Sequence, residues 1–391
     1  MRLDTEFIQL PFTFDADRLA HEISVFQDGD WQKHPTGFQG NTAIRLISAF
    51  GGENDDMSGP MLPTPHLQRC PYIKQVITTF KSVFGRSRLM LLAGGNVVPS
   101  HSDVNYHWYS RVRIHVPIIT FPSVRFYCGA KDIHMGRGEA WIFDNWRNHS
   151  VENPTGESRI HLVFDTSGSA AFWDMVDRGY RPFAGNPATP FQPMHVPYRP
   201  DDDPILETEK YNAPDVMSPG ELDALTEDIL QDLFARQGQS KDAVARFAYL
   251  VRQFCREWRM VWALHGRGSE GWLRYRALLN GLQEDLLNID QQLILASNEA
   301  KARFVLYGRV VQSALTAYQA VQPSISHLAD AAANTDYPID TGVRQHAAAH
   351  RCRSDSQCWR PRPSRVNCAA ERLDLQSAPT GLRVRIAQSA L

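Results

Sequence analysis

The sequence contains no CxxC pair. Its six cysteines, Cys70, Cys128, Cys255, Cys352, Cys358 and Cys368, are scattered through 391 residues. That spacing excludes a zinc ribbon and argues against a disulfide framework, so reduced thiols are expected. Basic excess is missing too. With a net charge of -2 the chain has no general means of neutralising phosphates, and nucleic acid is not an expected partner. No apolar run approaches the length of a membrane span, so no membrane partner is expected. The opening stretch, MRLDTEFIQLPFTFDADRL, carries acids where a secretory signal would be basic and then apolar. A cytoplasmic protein is the expectation.

What is present is an ordinary globular composition whose periodicity changes twice along the chain. A strand is expected near Glu6–Phe12, then a helix capped by Asp15 with Leu19, Ile23 and Phe26 on one face. Ile44 to Pro65, read as Gly-, Pro- and Asp-rich, is expected to be a loop. Helical spacing returns with Ile73, Val76, Ile77 and Phe80. From Arg88 short strand-like runs follow one another: RLMLLAGG, RVRIHVPII, SVRFYCG, EAWIFDN and RIHLVFD, separated by turn signals. This succession predicts a double-sheet jelly roll. A Pro-rich connection comes next, and then helices, the first opened by Ser218-Pro219-Gly220-Glu221 as a capping box and another ending at Gly266. The fold class expected is α+β: a double-stranded β-helix (a cupin-like barrel) over residues 1–180 with flanking N-terminal helices, a connection at 181–214, and an all-α region at 215–325. Residues 326–391 are expected to be a disordered tail.

The chemistry is concentrated between His101 and Arg159. In His101-Ser102-Asp103 an imidazole and a carboxylate two residues apart share one face of an extended chain and can take adjacent positions on a metal. His149, after EAWIFDNWRN, is the candidate third ligand. Two histidines and one carboxylate, leaving positions open, form the facial triad of non-haem Fe(II) oxygenases. Arg159 opens the strand RIHLVFD ten residues later; with NPTGES as a hairpin turn it would return toward the metal and could grip a carboxylate. Alternation places Arg111, Arg113 and His115 on one face of a single strand, with Val112, Ile114 and Val116 on the other. Three such groups inside a barrel would be costly without an anion, and a dicarboxylate co-substrate would relieve that cost.

With those residues in place, His101-x-Asp103, RVRIH, HMGRGEAWIFDNWRNHSV and RIHLVFD resemble the aspartyl/asparaginyl β-hydroxylase family of Fe(II)/2-oxoglutarate-dependent dioxygenases. The likeness is strongest to its bacterial branch of free amino-acid hydroxylases, which are proline cis-4-hydroxylase-like, and it covers roughly Arg88 to Asp165. The resemblance implies iron ligation by His101, Asp103 and His149, and 2-oxoglutarate contacts from Arg113, His115 and Arg159, the last at the distal carboxylate. It implies Fe(II), 2-oxoglutarate and O2 as the cofactor and co-substrates, and hydroxylation of an unactivated C–H bond with release of succinate and CO2. Asp103 places the chain with the three-ligand members and counts against halogenation. Where the animal enzymes carry a serine beside the distal carboxylate, this chain has Met90, so another donor must assist Arg159.

The substrate implied is a small molecule, an amino acid or a derivative of one. Asn105, Tyr106, His107 and Trp108 either line its pocket or pack on the barrel rim. Arg125 either holds a substrate carboxylate or lies on the surface, and Arg137 and Trp146 share that ambiguity. Two other functions fit the same residues: an oxygenase tailoring a peptide, lipid or natural product, and a non-catalytic jelly-roll binding protein. The helical region could cap the barrel or form a homodimer surface.

Overall fold

The structure, a computed structural model, describes residues 1–317 apart from 36, 186–189, 288, 290 and 291. The chain divides into two compact units, Met1–Tyr337 and Pro338–Leu391. The second unit and the expected tail at 326–391 lie outside the described residues.

In chain order the first unit begins with β1 (Phe7–Phe14) and α1 (Ala16–Ile23), then β2 (Gln32–Lys33), β3 (Asn41–Ala49) and β4 (Met61–Pro63). Two helices, α2 (Pro65–Gln68) and α3 (Pro71–Thr78), lead into β5 (Phe84–Leu92) and β6 (Asn96–His101). The single turn α4 (Tyr106–Tyr109) precedes β7 (Val112–Ile119), β8 (Arg125–Cys128), β9 (Lys131–Ile133), β10 (Glu139–Phe143), β11 (His149–Asn153) and β12 (Arg159–Thr166). After α5 (Ala170–Asp177) and β13 (Met194–Val196) the chain is helical: α6 (Pro219–Ala235), α7 (Lys241–His265), α8 (Trp272–Leu287) and α9 (Ala302–Leu306).

The strands form two sheets. The larger runs β13-β1-β10-β7-β12-β5-β3-β2, with β4 on β3; the smaller runs β6-β11-β8-β9. All pairs are antiparallel except β1 with β13. This is a double-stranded β-helix with helices flanking it and a helical region after it. The outer face of the large sheet carries Val112, Ile114, Val116, Leu162 and Phe164, buried against Leu19 and Ile23 of α1, Ile73, Val76 and Ile77 of α3, and Phe172 of α5. Phe7, Leu92, Trp141 and Phe143 of its inner face join Phe126, Cys128, Ile133 and Val151 of the small sheet in a second cluster. Alternation along each strand separates these two environments.

Local signals account for several boundaries. Asp15 caps α1 by accepting from the Arg18 amide at 2.9 Å. Gly266, at φ 52°, closes α7 in a backbone region that side-chain-bearing residues avoid. Ser218 caps α6 through the Glu221 amide, but the reciprocal half of the capping box is absent among its contacts, because the Glu221 carboxylate accepts from Tyr106 instead.

Two expectations are corrected. Ile44–Ala49 is not loop: it forms most of β3 and is buried throughout, since Ile44, Leu46, Ile47 and Ala49 pack into the main core. Only the residues between Phe50 and Pro60 behave as the composition of that segment suggested. NPTGES is not a hairpin turn within one sheet. β11 pairs with β6 and β8, whereas β12 pairs with β5 and β7, so the turn carries the chain from the small sheet to the large one.

Candidate active site

His101 ends β6 and His149 begins β11, and the two are directly paired across the strands. Their ring centroids are 4.3 Å apart. Asp103 follows in a loop whose course is set by its backbone amide, which donates to the Asn145 carbonyl at 2.9 Å. One ligand atom from each of His101, Asp103 and His149 lies within 4.8 Å of the others. Nδ1 of His101 lies 2.8 Å from the Pro99 carbonyl and Nδ1 of His149 lies 2.9 Å from the Arg147 carbonyl. Those acceptors favour protonation at Nδ1, leaving each Nε2 lone pair available to a metal. Burial, reinforced by the His101 imidazole, pushes His149 down to about 4, so it is a neutral ligand at ordinary pH. Two imidazoles and a carboxylate with open positions suit Fe(II) by the chemistry of the donors.

The helical region grips both ligand-bearing loops. Val104, next to Asp103, and Trp146, three residues before His149, are buried in the helical cluster with Leu225, Leu230 and Leu306. Trp146 donates through Nε1 to Ser297 Oγ at 2.6 Å, and Asn298 donates to the Trp146 carbonyl at 3.2 Å. Asn148 donates to the Asn298 carbonyl at 2.9 Å and accepts from Ser102 Oγ at 2.8 Å. The guanidinium of Arg309, which pairs with Asp228, stacks 4.5 Å from the Trp146 ring.

From the metal ligands a line of rings leads inward. Phe143 lies 4.9 Å from His149, His115 lies 5.3 Å from Phe143, and His161 lies 5.8 Å from His115. Phe126 stacks on His161 at 5.2 Å, and the Arg159 guanidinium sits 5.1 Å from the Phe126 ring. Arg159 is buried, donates to the Met90 carbonyl at 3.3 Å, and leaves its Nε unsatisfied. Burial alone lowers it to about 9, with no carboxylate to offset the loss of water. Both ring nitrogens of His115 are likewise buried without a partner.

Arg113 and Arg111 stand differently from the expectation. Arg113 is held by Asp165 in bidentate fashion at 2.7 and 3.0 Å, and Arg111 pairs with Glu209 at 2.7 Å. Burial would raise Asp165, but Arg113 and the hydrogen bond with His107 hold it well below the usual carboxylate range. The protein itself therefore supplies anions for these two arginines, and the cation left without one is Arg159. Beside them Arg88 and Arg45 share Asp55, each with a nitrogen 2.6 Å from a carboxylate oxygen.

The residues considered for substrate contact each have a partner within the protein. Tyr106 gives its hydroxyl to Glu221 at 2.5 Å, and Trp108 is buried with the Arg113 guanidinium 4.6 Å from its ring. Asn105 caps α4 by accepting from the Trp108 amide. Arg125 lies on the side of β8 opposite Phe126 and Cys128 and pairs with Asp132 at 2.8 Å. Arg137 pairs with the exposed Asp17. Sequence reasoning missed His161 and Asp165, although both share a strand face with Arg159 and the alternation rule alone would have placed them there.

Comparison with known proteins bears on the same segment. Residues 27–168 match the family model described as aspartyl/asparaginyl beta-hydroxylase. A curated relative, L-proline cis-3-hydroxylase 1 of a Streptomyces species, is 28% identical over 186 residues, 44% of this chain and 60% of the relative. The chain thus spans about 60% of the length of the curated relative it matches. Among solved structures, HygX from Streptomyces hygroscopicus with nickel and 2-oxoglutarate bound aligns with a TM-score of 0.31 at 11% identity, over 42% of this chain and 84% of that one. A prolyl hydroxylase from Trichoplax adhaerens aligns with a TM-score of 0.32 at 11% identity, over 44% and 87%. Residues 27–168 thus match the aspartyl/asparaginyl beta-hydroxylase model, and the chain is similar in part to an L-proline hydroxylase.

Proposed function

We propose that the protein is an Fe(II)/2-oxoglutarate-dependent dioxygenase that hydroxylates an unactivated C–H bond of an amino acid or amino-acid derivative, forming succinate and CO2. The observation that carries this reading is the convergence of His101, Asp103 and His149, linked through Phe143 and Phe126 to Arg159, a buried cation with no carboxylate partner among the described residues. The relative's name, a proline hydroxylase, supports the substrate class. Bound there, Fe(II) would supply O2 activation coupled to decarboxylation of the 2-oxo acid.

The protein's own part is positional. Pro99 and Arg147 carbonyls hold the two imidazoles in the ligating tautomer. Arg159 takes the far carboxylate of the diacid, which restores the balance that burial denies it. His115 lies between that end and the metal, neutral because burial and nearby Arg113 lower it far below its ordinary value. Phe126, Phe143 and Trp141 line the space with apolar surface and keep water out. Arg113, held by Asp165, keeps a fixed position on the same strand face as His115, from which it would contact the co-substrate. The same reading places the enzyme in the cytoplasm acting on a small molecule, which the free thiols of Cys70, Cys128 and Cys255 suit.

The test is anaerobic loading with Fe(II) followed by O2, 2-oxoglutarate and a panel of amino acids, with succinate and hydroxylated product measured together. Substrate-dependent succinate release that disappears in His149→Ala is expected. Full turnover by that variant, or none by the wild type across amino acids and their derivatives, would contradict the proposal.

A further inference from the structure

His161 lies at the centre of β12, wholly buried, and neither ring nitrogen has a hydrogen-bond partner. Buried polar atoms are almost always paired, so two on one side chain call for an explanation. Packing does not provide it. A leucine or phenylalanine would fill the space beside Phe126 without the cost of stripping water from an imidazole. The neighbours also exclude a structural ion pair. After burial, the strongest influence on His161 is the Arg159 charge, and His115 follows; all of these disfavour a second positive charge. The ring is therefore a neutral donor–acceptor with nothing to bind in the protein.

Its position identifies the missing partner. His161 is two residues from Arg159 on the same strand face, and Phe126 touches both, stacked on the imidazole at an interplanar angle of 19° and under the guanidinium. Directly across the sheet stands Met90, whose thioether donates nothing and whose carbonyl is already taken by Arg159. Around Phe126 there is thus one guanidinium with an unsatisfied Nε and, two residues along the same strand, the unsatisfied His161 imidazole, with His115 next to it and no anion among the described residues.

We infer that His161 is a binding residue for the distal carboxylate of the 2-oxo diacid, donating a neutral N–H beside the Arg159 guanidinium. The inference rests on the function proposed above and adds a residue that would discriminate diacids from monoacids. Either nitrogen can carry the proton, because neither is committed elsewhere. A neutral donor suits this place: it satisfies the second carboxylate oxygen without adding a second buried positive charge beside Arg159.

The test uses the Fe(II)-loaded full chain under anaerobic conditions, with binding of 2-oxoglutarate and of 2-oxopentanoate, which lacks the second carboxylate, measured calorimetrically. His161→Leu should raise the Kd for 2-oxoglutarate about tenfold, the loss of one hydrogen bond to a charged group, while leaving Fe(II) affinity unchanged. His161→Gln, which keeps a donor, should stay within about threefold of wild type. An unchanged Kd in His161→Leu, or an equal loss for 2-oxopentanoate, would overturn the assignment. A check that needs no substitution covers the case of a variant that does not fold: in the wild type, 2-oxoglutarate should shift the His161 ring 15N resonances and slow exchange of its ring proton, and no change on saturation would be decisive against it. Should the wild type bind no 2-oxoglutarate at all, the proposed function fails and this inference with it. Normal binding with indifferent His161 variants removes this inference alone.

Discussion

The Tyr106 hydroxyl donates to a Glu221 carboxylate oxygen at 2.5 Å, joining the turn that follows Asp103 to the first turn of α6. This bond, 115 residues long in sequence, ties the metal-binding edge of the barrel to the helical region. Because the acceptor is charged and the pair partly buried, Tyr106→Phe should destabilise the fold by about 1–2 kcal/mol. Denaturant unfolding measures it, and an unchanged midpoint would show that this bond adds nothing to the other contacts between the two parts.

Asn148 bridges Ser102 and Asn298, so it connects both ligand-bearing loops to the helical region while remaining solvent-exposed itself. Its loss should therefore affect the metal centre more than the fold. Asn148→Ala is expected to weaken Fe(II) binding about tenfold, as removal of supports behind metal ligands does, with thermal stability nearly unchanged. Anaerobic metal titration alongside a thermal melt separates the two effects.

Arg159 is a buried cation with no carboxylate partner among the described residues. Replacing it with alanine removes a two-point charged contact to the diacid, on the order of 2–3 kcal/mol or roughly a hundredfold in affinity. The effect should appear as a raised 2-oxoglutarate requirement, and added saturating co-substrate should recover much of the turnover. A fall in kcat with an unchanged KM for 2-oxoglutarate would place Arg159 outside the co-substrate site.

Acid should weaken the metal-free fold well above the range of ordinary carboxylates. Burial and the Arg88 charge lower His34 to about 3, and burial lowers His107 to about 3 against the opposing pull of Asp165. Below about pH 6.5 the unfolded chain takes up protons that these folded imidazoles refuse, so stability falls as pH drops from 6.5 toward 3, by about 1.4 kcal/mol per pH unit for each histidine. Asp165 acts in the same direction lower down, since its depressed value gives stability that is present above about pH 4 and lost below it. His107→Gln should flatten the upper slope by about one proton. An identical slope in that variant would contradict burial as the cause.

Much of this protein follows from local pattern. Alternation in RVRIHVPII and RIHLVFD was enough to separate the faces of β7 and β12, and His101-x-Asp103 with His149 was enough to nominate a metal site, because strand periodicity acts over two residues and needs no knowledge of neighbours. The pairing of charges was beyond that range. Arg113 looks like a cation awaiting a ligand until Asp165, 52 positions later, is found against it, and Arg111 until Glu209 is. Which strand joins which sheet was equally illegible: His149 meets His101 only because β11 pairs with β6, while β12, a short turn later, belongs to the other sheet. Residue type and spacing determine what each side chain can do and which way it faces; the register and the long-range ion pairs decide which of those capacities is left unspent, and here those include Arg159 and His161 on one face of β12.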